Sequence, residues 1–146
     1  MAEVRSRWRS ERGAELIEFA IVAPILIFII AALVDFGMML RAYEAVTNAA
    51  REGARVGVLP GYDTPDVQAR VDAYLAAAGL TGTRTTNVTN QTVATPAGTF
   101  AARSVNVQYG YQFAVLGGFA PLFGGNFGTI NLNAVAVMRT ETQATP

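Results

Sequence analysis

The apolar positions of this chain fall into three patterns, one after another. From Phe19 to Val34, sixteen consecutive residues are apolar or proline. Extending to Leu40 gives twenty-two positions interrupted by one acid, Asp35. At about 1.5 Å of rise per residue, such a helix matches the hydrocarbon thickness of a bilayer. A core helix this apolar would need partners on every side, so the stretch reads as a membrane span. Pro24 lies inside it, where the missing amide hydrogen predicts a kink or a loosened turn. Asp35 reads as the mark of the span's exit.

From Phe36 the pattern changes to spacings of three and four. Phe36, Leu40, Tyr43, Val46, Ala50 and Ala54 form a stripe, with Arg41, Glu44, Arg51, Glu52 and Arg55 on other faces. The helix therefore continues out of the membrane as an amphipathic rod. Ala42, Ala45, Ala49, Ala50 and Ala54 leave small surfaces against which another backbone can pack closely. The stripe can serve the chain's own outer module, a neighbouring molecule, or both on different faces. Gly57 through Pro60-Gly61 ends the rod.

The third pattern belongs to a small outer module. Thr64 reads as a helix N-cap, with Pro65 at the first helical position. Val67, Val71, Tyr74, Leu75 and Ala78 then mark one face of a short helix that Gly79 stops. An irregular strand is predicted around Asn87–Thr95, with a turn at Pro96-Ala97-Gly98. The clearest strand is 103–116: Val105, Val107, Tyr109, Tyr111, Phe113 and Val115 alternate with Asn106, Gln108, Gly110, Gln112 and Ala114. Ile130, Leu132, Ala134, Ala136 and Met138 repeat that period. Between the two strands lies a glycine-rich loop holding Phe119, Leu122, Phe123 and Phe127. An exposed loop with four large apolar side chains points to contact with lipid, another subunit or the rod. Its glycines do not form a phosphate loop, since no lysine-serine or lysine-threonine pair follows. The expected fold class is α+β: a long N-terminal transmembrane helix and rod, then one short helix with about three antiparallel strands.

Composition narrows the chemistry. The chain has 146 residues, no cysteine, no histidine and a formal net charge of zero. Disulfides, thiolates and the commonest general base are thus missing. Ser104 is the only serine beyond residue 13, and the acids that follow the rod are Asp63, Asp66, Asp72 and Glu141. The usual nucleophilic dyads cannot form, and Asp63 and Asp66 suit a helix start. No catalytic residue, metal site or cofactor is expected. The basic cluster Arg5, Arg7, Arg9 and Arg12 directly precedes the apolar run. There it reads as a topology signal rather than a nucleic-acid site, holding the N-terminus in the cytoplasm and the C-terminus outside.

The boundary at Arg12-Gly13-Ala14 has a further property. Cleavage after Gly13 would make Ala14 the first residue and Glu18 the fifth. In this the chain resembles a type IV prepilin: a basic leader, a junctional glycine and a glutamate five residues into an apolar helix. The Glu18-Phe19 pair, Pro24, Asp35-Phe36-Gly37 and Ala49-Ala50-Arg51-Glu52-Gly53-Ala54-Arg55 together resemble the TadE-like branch of the tight-adherence pili, over roughly residues 13–57. The resemblance implies three parts: a leader over 1–13, a helix and its extension over 14–58, and an outer module over 59–146. It also implies that Glu18 meets the new N-terminal ammonium of a neighbour and sets filament register. On chemistry alone, Glu15 and Glu18 could instead lie in the headgroup layer, where acids cost little.

The function implied is that of a minor pilin or pseudopilin in filament initiation or assembly, and the chain is a substrate of an enzyme rather than an enzyme. Its implied partners are a prepilin peptidase, other pilin subunits, an inner-membrane assembly platform and the bilayer. The location would be the bacterial inner membrane, with later incorporation into an extracellular filament. The alternatives are a non-polymerising anchored protein whose outer domain binds an envelope or secreted partner, and the main subunit of a thicker filament.

Overall fold

One helix, α1 (Glu3–Gly57), carries every other element on its C-terminal half. The computed structural model describes residues 3–96, 98–125 and 128–140, with backbone alone for 3–12, 122 and 123. After α1 come α2 (Thr64–Ala77), β1 (Arg84–Thr95), β2 (Gly98–Tyr111), α3 (Leu116–Phe119), a 3-10 turn (Ala120–Phe123) and β3 (Ile130–Arg139). The strands form one antiparallel sheet in the order β1-β2-β3. The architecture is α+β, as the pattern predicts.

The sheet lies on α1 through its apolar face, with α2 packed beside α1. Val105, Val107, Tyr109 and Tyr111 from β2 join Leu132, Ala134 and Ala136 from β3. They meet Val46, Ala49, Ala50 and Ala54 of α1, and Val67, Val71 and Leu75 of α2. On the opposite face of β3, Val135 and Val137 stay exposed. The period of two thus survives as an inside and an outside.

The spacing along the rod predicts packing through one stripe, and the structure divides that stripe. Ala50 and Ala54 are buried, whereas Phe36, Leu40 and Tyr43 are 54%, 47% and 46% exposed. The face under the module is instead Asp35, Ala42, Val46, Ala49, Ala50, Gly53 and Ala54. Small side chains win this face because sheet and α2 must both approach the same helix surface. Gly53 shows how closely: a Cβ there would lie 2.6 Å from Val71 Cγ2 and 3.3 Å from Val105 Cγ1.

Four element boundaries differ from expectation. Asp63, not Thr64, is the N-cap of α2, and its backbone N–H donates to the Asp66 carboxylate at 2.9 Å. Strand β1 begins at Arg84 and pairs with β2 along its whole length, from Arg84↔Tyr109 to Thr95↔Gly98. Its threonines and asparagines hide it in the sequence, since an edge strand that is only half-buried shows little apolar alternation. Gln68 Nε2 donates to Thr86 O at 3.0 Å, and Arg84 pairs with Asp72, so α2 secures this edge. The end of α2 follows expectation. Gly79 adopts φ 80°, while Gly79 N and Leu80 N donate to Ala76 O and Leu75 O.

The other two are the ends of β2, which begins at Gly98 rather than at residue 103. Tyr111, not Leu116, is its last residue, because Asp35 turns the following chain onto the rod, as described below. At the far end Arg103 caps α1: Nη1 donates to Gly57 O at 2.7 Å and Tyr62 O at 3.0 Å, and Nη2 to Thr64 Oγ1 at 3.2 Å. A cation on terminal helix carbonyls satisfies unpaired acceptors and complements the dipole.

A pair of glycine variants tests the close approach. Gly53→Ala should destabilise the full chain by about 1–3 kcal/mol through overpacking. Gly37→Ala, where a Cβ would have no described neighbour within 4 Å, should be neutral or stabilising by under about 1 kcal/mol. Thermal unfolding in detergent reads both, and equal effects would refute the packing account.

Candidate functional site

The N-terminal residues singled out by the sequence stand clear of the module. Gly13, Ala14, Glu18 and Phe19 all lie within α1, and Phe19 is 69% exposed. A Cβ placed on Gly13 would have no described neighbour within 4 Å, so no described contact there requires a glycine. Pro24 also lies within α1, which is helical on both sides of it. The ring removes the hydrogen bond that Ala20 O would otherwise accept. From Ala14 to Ile30 the helix is exposed except for half-buried Ala23 and Phe28. Among the described residues, this is the one helix long and apolar enough to cross a membrane, and it is compatible with a single-pass anchor.

Asp35 has a role that the sequence reading missed. It is wholly buried, and its carboxylate accepts from three successive backbone N–H groups. Ala114 N donates to Oδ1 at 3.0 Å. Val115 N lies 3.0 Å from Oδ1 and 3.1 Å from Oδ2, and Leu116 N donates to Oδ2 at 2.6 Å. Tyr111 Oη donates to the backbone oxygen of the same residue at 3.3 Å. One acid thereby fixes the end of β2 and the start of α3 to the rod, with charge-assisted bonds that are stronger than neutral ones. A usable signal was present in the sequence: a lone acid in an apolar helix must find donors, and no basic side chain lies nearby on α1.

The loop expected to be exposed and apolar is ordered into helical turns where it is described. Leu116 and Ala120 are buried and Phe119 is half-buried, because α3 rests against α1. Phe127 and the side chains of Leu122 and Phe123 lie outside the described residues. A groove of about 350 Å³ at this end runs between α1 and the end of α2 past Met38, Arg41, Leu80, Tyr111 and Gln112. It is open, and Arg41 is its one charged residue. Among the described residues, no group of three or more acids, histidines or cysteines could hold a metal ion.

Further up the rod, Glu52 links two helices. Its carboxylate accepts from Arg55 Nη2 at 2.8 Å and from Arg70 Nη2 at 2.8 Å. The Arg55 hydrogen bond, then that of Arg70, lowers the Glu52 pKa from 4.5 to about 2. Both arginines are more than half exposed, so solvent screens the pairs and their contribution is small.

With this geometry in place, comparison with known proteins adds one finding. The family model described as TadE-like protein matches residues 13–55, in agreement with the resemblance read from the sequence. The matched stretch covers the free apolar helix, Asp35 and the rod as far as Arg55, and leaves out the whole sheet. No curated protein and no solved structure matches the chain.

Two outcomes follow from these geometries. Asp35→Ala leaves three N–H donors, one buried and two part-buried, without their acceptor and should cost on the order of 2–4 kcal/mol. Asp35→Asn, which keeps one acceptor oxygen, should cost less. Faster hydrogen exchange at the 114–116 amides in both variants is the decisive reading. For Glu52, the depressed pKa means its stabilisation is fully present above about pH 4.5 and is lost as pH falls through about 2. The melting-temperature gap between the unmodified chain and Glu52→Gln should therefore be constant from pH 7 to 5 and close towards pH 2.

Proposed function

We propose that this chain is a minor pilin or pseudopilin of a Tad-type system, anchored in the bacterial inner membrane until a prepilin peptidase removes its leader. The observation that carries the reading is the extent of the family match, which begins at Gly13 and includes Glu18. Gly13 has no packing role among the described residues, so the need for a residue without a side chain falls on an outside agent. The basic residues before it favour a cytoplasmic N-terminus, which puts the module on the outer side.

In this reading Gly13-Ala14 is the processing junction, and cleavage frees the Ala14 ammonium. That ammonium neutralises Glu18 of a neighbouring subunit, which would otherwise be a costly charge within an apolar bundle. The helix from Ala14 to Ile30, exposed apart from half-buried Ala23 and Phe28, is the surface that other subunits and the assembly platform engage. The exposed Phe36, Leu40 and Tyr43 extend that surface along the rod, on positions the module does not use. The module over 59–146 makes the subunit bulky, which suits an initiating or assembling role. The chain acts here as a substrate and building block, without catalysis, cofactor or nucleic acid.

Intact mass of the protein from its native membrane, beside Gly13→Ala and Glu18→Ala, tests the reading. A mature species starting at Ala14, absent in Gly13→Ala, is expected. Glu18→Ala should still be cleaved but should fail to enter the assembly. Retention of residues 1–13 where an active peptidase is present would refute pilin processing and favour an anchored binding module.

A further inference from the structure

Two features fix how far the module stands from the apolar part of α1. The first is hydrophobic length. A hydrocarbon core of about 30 Å takes about 20 helical residues. Counted upward from Phe19, just past Glu18, those residues end near Met38; a tilt of about 20° moves the end only a residue or so further. The second is the docking level. The Asp35 bonds pin residues 114–116, and with them the start of α3, to a rod position below that limit.

The composition of this end agrees with the count. Between Glu18 and Arg41 the one charge on α1 is Asp35, which is wholly buried. Residues 112–138 contain no charged residue at all. Leu33, Val34, Phe36, Met38 and Leu40 remain exposed around the rod at the same height. The nearest charges on the rod and the sheet are Arg41, six residues or roughly 9 Å above Asp35, and Arg84, which lies opposite Tyr109 of β2 in the ladder. That spacing is comparable to the headgroup layer, about 5–8 Å on each side of the hydrocarbon.

We propose that the module is seated in the outer surface of the bilayer, with the 114–121 turn among the lipids of that leaflet, rather than held clear of the membrane on the rod. This rests on the membrane-anchored reading and deepens it. The occupant is phospholipid because the apolar surface at this level is continuous with the free helix below it. Asp35 then sits beneath the membrane surface, and the chain's own N–H groups take the place of water around its carboxylate. Gly117 and Gly118 let the turn lie low, without side chains to be accommodated.

The chain has no cysteine, so single spin labels can be placed without a background substitution. Gly118→Cys is the principal site, since a Cβ there would meet no described atom within 4 Å, and exposed Pro121→Cys is the second. Ile25→Cys reports the apolar helix, and exposed Thr99→Cys the opposite end of the sheet. The full chain is reconstituted in phosphatidylethanolamine–phosphatidylglycerol vesicles. Collisions with oxygen, which concentrates in lipid, and with a water-soluble nickel chelate are then measured. Labels at 118 and 121 should follow the label at 25, with loss of nickel broadening, while the label at 99 keeps it. Nickel broadening at 118 and 121 equal to that at 99, with 25 still in lipid, overturns this inference and leaves the anchor intact. Nickel access at 25 overturns the membrane reading itself and this inference with it.

Discussion

The carboxylate of Asp35 is the interaction on which the arrangement of the two halves depends. A charged group in an apolar stretch of helix is tolerated only when donors surround it, and here three consecutive backbone amides do so. Those amides come from residues about eighty positions away, so satisfying the acid closes the molecule. Strand β2 has to end at Tyr111 for the chain to turn toward Asp35. The turn leads into α3, and β3 then returns alongside β2. At the opposite end Arg103 does the converse, placing a cation on Gly57 O, which terminates α1, and on Tyr62 O in the connection beyond it. The sheet is thus held to the rod by a charge at each end and by small-residue packing between them.

The packing in between explains the composition of the rod. One helix face has to accept both β-sheet and α2, and alanine and glycine permit that approach. Gly53 is the tightest position, where two valines leave no room for a methyl group. Larger apolar residues are placed on the other face, at Phe36, Leu40 and Tyr43, where the module does not cover them. Helix α1 therefore has an inner face used for folding and an outer face left available. Below Ala31 the described side chains are exposed apart from half-buried Ala23 and Phe28.

This division bears on the proposed role. An assembling subunit needs a surface that remains apolar and accessible after the monomer has folded. The match to TadE-like proteins covers the part of the chain that carries this surface and stops where the module's own elements begin. The module has a different task in this scheme. It gives the helix a fixed upper limit, set by the level at which Asp35 and the turn meet.

Much of this was legible in the sequence because periodicity is a local property. Sixteen apolar residues in a row, a repeat of three and four, and two repeats of two specify a long apolar helix, amphipathic helices and half-buried strands without further context. The Gly13 and Glu18 spacing likewise rests on neighbours in the chain. Strand β1 was only partly readable, since its stability comes from the ladder with β2 and from α2 rather than from its own pattern. Which face of the rod turns inward, where β2 stops and what Asp35 does are set by tertiary contacts alone. Each depends on a partner distant in the chain, and period along one helix cannot choose among faces that are all apolar. Local pattern thus specifies the elements and their order. The need to satisfy a buried carboxylate and to pack a sheet on a narrow helix specifies how they meet.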